Sequence, residues 1–118
     1  MINETGKVYT RPWGTYQTLA LAENYQIKII TVNPGGRLSL QKHSKRSEHW
    51  VVVAGSPTIT IDETVKTHQV NDHVFISIGT AHRMENFTTA LAIITEVQIG
   101  SYLGEDDIIR LDDVYGRV

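Results

Sequence analysis

Cysteine is absent from the 118 residues. Its absence excludes a disulfide framework, a thiolate metal site and a cysteine nucleophile. An excess of either charge is also lacking: 11 Lys and Arg stand against 13 Asp and Glu, a net charge of −2. A nucleic-acid footprint or a polybasic membrane contact is therefore not expected. No apolar run approaches the length of a membrane span, and Met1-Ile2-Asn3-Glu4-Thr5-Gly6 has no signal-peptide core, so a cytoplasmic location is expected. Low-complexity tracts, linkers and repeats of solenoid period are missing too. What remains is 41% apolar and 20% charged, the composition of one ordinary globular domain. At this length a chain buries roughly two thirds of its unfolded surface and needs no staple.

Helical periodicity is weak, and short β-branched runs between turn signals take its place. Tyr25–Val32 is followed by Asn33-Pro34-Gly35-Gly36. Leu38–His43 alternates apolar and polar residues, His49–Ala54 ends at Gly55, and Thr58–Asp62 alternates again. Val74–Ile78 ends at Gly79, and Leu91–Ile99 ends at Gly100. Short strands at this spacing imply an all-β sandwich or barrel. One short helix is expected around Glu105–Arg110, where Glu105-Asp106-Asp107 would favour a helix N-terminus through the dipole.

Chemistry concentrates at Gln41, His43, Glu48 and His82. Gln41 and His43 are two apart on an expected strand and share a face. Two imidazoles and two oxygen donors suit a divalent cation: Zn first, with Mn, Co, Ni or Fe as alternatives. Surface or capped histidines fit the same spacing, so the residues alone leave both readings open.

The spacing resembles the cupin family. Its first motif, Gly-x5-His-x-His-x3–4-Glu-x6-Gly, is similar to Gly35, Gln41, His43, Glu48 and Gly55, with Gln41 in place of the first His. Its second, Gly-x5-Pro-x-Gly-x2-His-x3-Asn, is similar to Asn71, Ser77, Gly79, His82 and Asn86, with Asn71 for the leading Gly and Ser77 for Pro. Leu38-Ser39-Leu40-Gln41-Lys42-His43-Ser44-Lys45-Arg46-Ser47-Glu48-His49-Trp50 further resembles the type II mannose-6-phosphate isomerase domain, usually the C-terminal part of enzymes that also carry a mannose-1-phosphate guanylyltransferase. Arg11–Tyr16, Glu96–Ile108 and Asp113–Arg117 extend the likeness over residues 11–117. The family often has three consecutive histidines where this chain has His43-Ser44-Lys45. The resemblance implies a single-domain cupin barrel (a double-stranded β-helix, or jelly roll) over residues 11–118, preceded by an N-terminal arm, residues 1–10.

It also implies an isomerase of mannose 6-phosphate and fructose 6-phosphate, serving sugar-nucleotide and polysaccharide biosynthesis. The metal set would be Gln41, His43, Glu48 and His82. No nucleotidyltransferase segment stands in this sequence, so the chain is expected to act as the isomerase alone. Other readings are a metal cupin of different chemistry (epimerase, dioxygenase, lyase) and a non-catalytic module that binds sugar phosphates.

Arg46, two residues before Glu48, points the same way in an extended stretch and suits a phosphate or an enediolate oxygen; a solvated loop Arg is its alternative, and the resemblance favours catalysis. Lys28, Glu96 and Gln98 alternate with apolar neighbours. In a barrel Lys28 and Glu96 would meet inside as acid or base, or else pair at the rim. Gln98 and Arg110 are candidates for substrate binding, Arg110 the weaker phosphate ligand. The acidic run is not expected to bind a phosphate. His49 should point away from the cavity, His68 and His73 should face water, and Trp13 and Trp50 should pack. A homodimer is expected by analogy with the fold.

Overall fold

The computed structural model describes residues 2–117. Residues 1 and 118, the outer ends of the expected arm and barrel, lie outside the described residues. The strands are β1 Val8–Arg11, β2 Gly14–Leu21, β3 Tyr25–Val32, β4 Leu40–Lys42, β5 Arg46–Ala54 and β6 Thr58–Ile61. They continue with β7 Thr64–Thr67, β8 His73–Ile76, β9 His82–Glu85, β10 Ala92–Gly100 and β11 Ile109–Asp112. One sheet runs β1-β2-β3-β10-β5-β8, the other β11-β4-β9-β6-β7. The strand pairs are antiparallel. The expected all-β architecture is what forms.

The interior is layered by register. Ile30, Ile94 and Val52 lie side by side across β3, β10 and β5. The next inward row is Lys28, Glu96 and Trp50, and the next Gln26, Gln98 and Glu48. Each strand thus changes from apolar to polar along its inward face. At the apolar end Ile59, Met84 and Leu38 close the core from the second sheet. Each such side chain stabilises the fold by about 1.5–3 kcal/mol when fully buried. At the other end the buried polar groups need partners, since an unpaired one costs roughly 1–3 kcal/mol. The site is built there.

Two turns show why the motif glycines sit where they do. Gly55 has φ +74°, and a Cβ there would come 2.3 Å from the Leu91 carbonyl oxygen. Asn71, in place of a motif glycine, has φ +79°. Asn is among the few residues that tolerate this left-handed backbone.

The expected helix does not form. Gly104–Asp107 is a turn closed by the Asp107 N–H on the Gly104 carbonyl (3.2 Å), and residues 109–112 pair with β4. The carboxylate of Asp107 is taken by the Ser44 and Lys45 backbone N–H groups and the Ser44 hydroxyl. Side-chain acceptors of this kind compete with helix formation. The expected boundary between residues 10 and 11 falls inside β1, which pairs with β2. Upstream, Asn3 is buried against Gln26 and Tyr16. No helix of the described residues is long and apolar enough to cross a membrane.

Candidate functional site

His43 follows β4, Glu48 lies on β5 and His82 opens β9. The Nδ1 of His43 is 2.7 Å from the Asp107 carbonyl oxygen, and the Nδ1 of His82 is 2.8 Å from that of Thr80. A carbonyl only accepts, so each Nδ1 carries the proton and each Nε2 keeps a lone pair. The Nε2 of His43 lies 3.2 Å from Glu48 Oε2, and that of His82 lies 3.8 Å from Glu48 Oε1. One donor atom from each of the three falls within 4.8 Å of the others. Bonds of about 2.0 Å to a tetrahedral Zn put donor atoms roughly 3.3 Å apart, close to this spacing. The His82 Nε2 is buried with no hydrogen-bond partner, a cost that a cation would relieve. Gln41 stands opposite His82 in the β4–β9 pairing and lines one cavity with His43 and Glu48. The donor set therefore fits a divalent ion, with imidazole tautomers already fixed for it.

Glu48 is held from all sides. Arg46 Nε donates to Oε2 at 2.8 Å and Trp50 Nε1 to Oε1 at 3.0 Å. Burial alone would raise this carboxyl, but the Arg46 charge, aided by His82, holds it below the usual carboxylate range. Arg46 Nη2 also donates to the His43 Nε2 at 3.3 Å. Burial first, then the Arg46 charge, lowers His43 to about 4. Glu96 is the opposite case. Burial and the neighbouring Glu48 charge push it well above the usual range. Two buried carboxylates side by side thus differ in proton affinity.

Lys28 and Glu96 are direct cross-strand neighbours, and both line the cavity of about 80 Å³. The Lys28 ammonium goes instead to Glu105, at 2.9 Å, and lies 4.2 Å from the Tyr16 ring centroid. Gln98 is fully buried behind Glu96. Its Nε2 donates to Glu96 Oε1 (3.0 Å), and its Oε1 accepts from Gln26 Nε2 (2.8 Å). It is not among the residues that line the cavity. Arg110 does line it, opposite Gln41.

His49 is half-buried on the outer face beside the exposed His73. His68 departs from its expected exposure: it is 9% exposed, and its Nδ1 lies 3.2 Å from an Asp72 carboxylate oxygen. Trp13 and Trp50 both pack in the core. The residues that sequence reasoning missed are Arg11, Tyr16, Glu105, Asp107 and Arg117. Glu105 and Asp107 sit in an acidic run that reads as the N-terminus of a short helix, and Arg11 and Arg117 reach the cavity from opposite ends of the chain. No local spacing announces such contacts.

A family model described as "Mannose-6-phosphate isomerase C-terminal" matches residues 2–113. The xanthan biosynthesis protein XanB of Xanthomonas campestris is 48% identical over 94% of this chain and 24% of its own length. The alginate biosynthesis protein AlgA of Pseudomonas aeruginosa is 50% identical over 91% of this chain and 22% of its own. The mannose-1-phosphate guanylyltransferase ManC of Salmonella typhimurium is 48% identical over 92% and 22%. This chain thus spans about a quarter of the length of these relatives. Among solved structures, oxalate decarboxylase from Bacillus subtilis superposes with a TM-score of 0.80 at 17% identity, over 90% of this chain and 30% of that one. A sugar phosphate isomerase of the cupin superfamily from Silicibacter pomeroyi superposes with a TM-score of 0.66 at 18% identity, over 80% and 68%. Those two likenesses bear on the fold alone. With the motif residues converging at the polar end of a β-barrel, the chain belongs to the mannose-6-phosphate isomerase C-terminal family and has the cupin fold.

Proposed function

We propose that this chain is a metal-dependent aldose–ketose isomerase that interconverts mannose 6-phosphate and fructose 6-phosphate. The observation that carries the reading is the convergence of the His43 and His82 Nε2 atoms on Glu48, at 3.2 and 3.8 Å, beside a second buried carboxylate, Glu96, with raised proton affinity. A divalent cation held by Gln41, His43, Glu48 and His82 supplies Lewis-acid polarisation of the sugar oxygens.

The other residues carry the proton transfer. Glu96 takes the proton from C2 of the open-chain aldose and returns it to C1, while the hydroxyl proton passes from O2 to O1. A carboxyl of raised pKa is suited to both halves of that exchange. Gln98, itself held by Gln26, fixes the Glu96 carboxyl from behind. The Arg46 Nη1 is buried without a hydrogen-bond partner, 3.9 Å from the Glu105 carboxylate, and it donates to the enediolate oxygen, the strongest electrostatic role in the site. Lys28, tied to Glu105, keeps a second positive charge at the sugar. Trp13, Trp50 and Leu38 give the cavity an apolar wall that limits water.

The relatives named for xanthan and alginate biosynthesis support a place in polysaccharide precursor supply. The proposal includes a homodimer of this chain; light scattering that finds a stable monomer contradicts that part. One observation favours a second reading, sugar-phosphate binding without turnover. Arg46 donates to the very atoms of His43 and Glu48 that a cation would use. A coupled assay of the metal-reconstituted chain with fructose 6-phosphate separates the two. Turnover by the wild type and its loss in His82→Ala supports the isomerase. Equal inactivity of both, with the sugar phosphate still bound, supports the second reading.

A further inference from the structure

The cavity concentrates positive charge in a chain whose net charge is −2. Arg11, Lys28, Arg46, Arg110 and Arg117 line it, against three carboxylates, Glu48, Glu96 and Glu105. Most of these cations are committed. Arg11 donates to the Thr10 carbonyl and the Tyr16 hydroxyl. Lys28 is paired with Glu105. Arg117 is clamped on Asp113 by its Nε at 2.6 Å and its Nη2 at 3.1 Å. Arg46 is spent largely on Glu48 and His43. Arg110 differs. Its Nε, like the Nη1 of Arg46, is buried without a hydrogen-bond partner, but, unlike Arg46, Arg110 has no carboxylate paired with it among the described residues.

We propose that Arg110 binds the phosphoryl group of the substrate and sets the preference of the cavity for phosphorylated over neutral sugars. The assignment of that group to a sugar phosphate rests on the isomerase reading above. The pairing of β11 with β4 places Arg110 directly opposite Gln41. Neighbouring strands lie about 4.8 Å apart, so one small molecule can reach both the metal-binding group and the Arg110 guanidinium. A guanidinium presents parallel N–H donors that match two phosphoryl oxygens, which an ammonium does not. Arg11 and Arg117 add positive potential at the same cavity without spending further donors. A phosphoryl dianion is the ligand that satisfies the orphaned donor and balances the surplus of charge.

The test uses the full chain loaded with Zn. Calorimetry measures mannose 6-phosphate, inorganic phosphate and mannose binding to the wild type, Arg110→Gln and Arg110→Lys, with metal content as the check that each variant is folded. The expected result is a 10- to 100-fold weaker affinity for mannose 6-phosphate in Arg110→Gln. Inorganic phosphate should weaken in parallel, Arg110→Lys should fall between, and mannose affinity and metal content should not change. An unchanged affinity for both phosphates in Arg110→Gln overturns the proposal, as does an equal loss for mannose. Failure of the isomerase reading is distinct from either outcome: the wild type then binds mannose 6-phosphate through Arg110 and does not convert it.

Discussion

The Nδ1 of His43 hydrogen-bonds the backbone carbonyl of Asp107 at 2.7 Å, across 64 residues of chain. The same Asp107 holds the backbone of Ser44 and Lys45 through its carboxylate, at 3.0 and 2.9 Å. One residue thus fixes both the tautomer of the imidazole and the loop that carries it. Partners of this kind typically change metal affinity 10- to 100-fold when removed. Asp107→Ala keeps the carbonyl that bonds His43 but frees the Ser44–Lys45 backbone that follows it, and so should weaken divalent-metal binding by about 10-fold, the lower end of that range, as read by competition with a chelating dye. An affinity equal to that of the wild type contradicts this role.

Arg46 should separate metal binding from turnover. Its buried Nη1 has no hydrogen-bond partner and lies 3.9 Å from the Glu105 carboxylate, while its Nε is tied to Glu48. In Arg46→Gln the metal ligands remain. Loss of one donor to a developing oxyanion costs about 10²–10³ in kcat. The expected outcome is a kcat lowered by that order with metal content near one ion per chain. Full activity in the variant would remove Arg46 from the chemistry.

The metal-free chain should show opposing pH effects from two buried groups. The folded His43 titrates at about 4, below the ordinary imidazole value of about 6.5. Between those two values the unfolded chain binds a proton that the folded one does not. Stability therefore falls as the pH falls through that window, by roughly 3 kcal/mol from this residue. The Glu96 pKa is raised in the fold. Its contribution is complete below the ordinary carboxylate pKa and is lost as the pH rises through the folded value. Glu96→Gln removes this second effect. Urea denaturation in the presence of a chelator should show the variant gaining more stability at pH 8 than at pH 4.5. An equal change at both values contradicts the raised pKa.

Much of the fold is legible because apolar alternation marks it. β3 is found at the residues expected, and β6, β8 and β10 lie within two residues of theirs. Several strands escape, β1, β2 and β11 among them, and inward polar residues account for part of the loss. β5 begins three residues earlier than its apolar pattern because Arg46 and Glu48 face inward. β9, His82–Glu85, is buried at all four positions, although three of them are charged or imidazole side chains. β7 is exposed throughout and has no buried face to read. Polar residues inside a barrel hide the strand period, and the same residues build the site. Gln41, His43, Glu48 and His82 are visible through spacing. Asp107, Glu105 and Arg117 are not, because tertiary pairing alone brings them in.

At Gly55, as at Gly14, backbone and packing both demand glycine. In Gly55→Ala the new Cβ meets the Leu91 carbonyl oxygen at 2.3 Å with φ held at +74°. A loss of about 2–4 kcal/mol is expected from the combined strain and overpacking. Asn71→Gly, at φ +79°, should change stability by less than about 1 kcal/mol. Thermal denaturation of both variants checks the pair, and similar losses would contradict the difference in packing.

The most direct test of the metal site is an anomalous-scattering measurement on crystals of the chain grown with one equivalent of Zn. The expected result is one strong peak bonded to the Nε2 atoms of His43 and His82 and to the carboxylate of Glu48. A peak only at the His49 and His73 pair on the outer face, whose nitrogens lie 3.1 Å apart, or no peak in the barrel at all, contradicts the account.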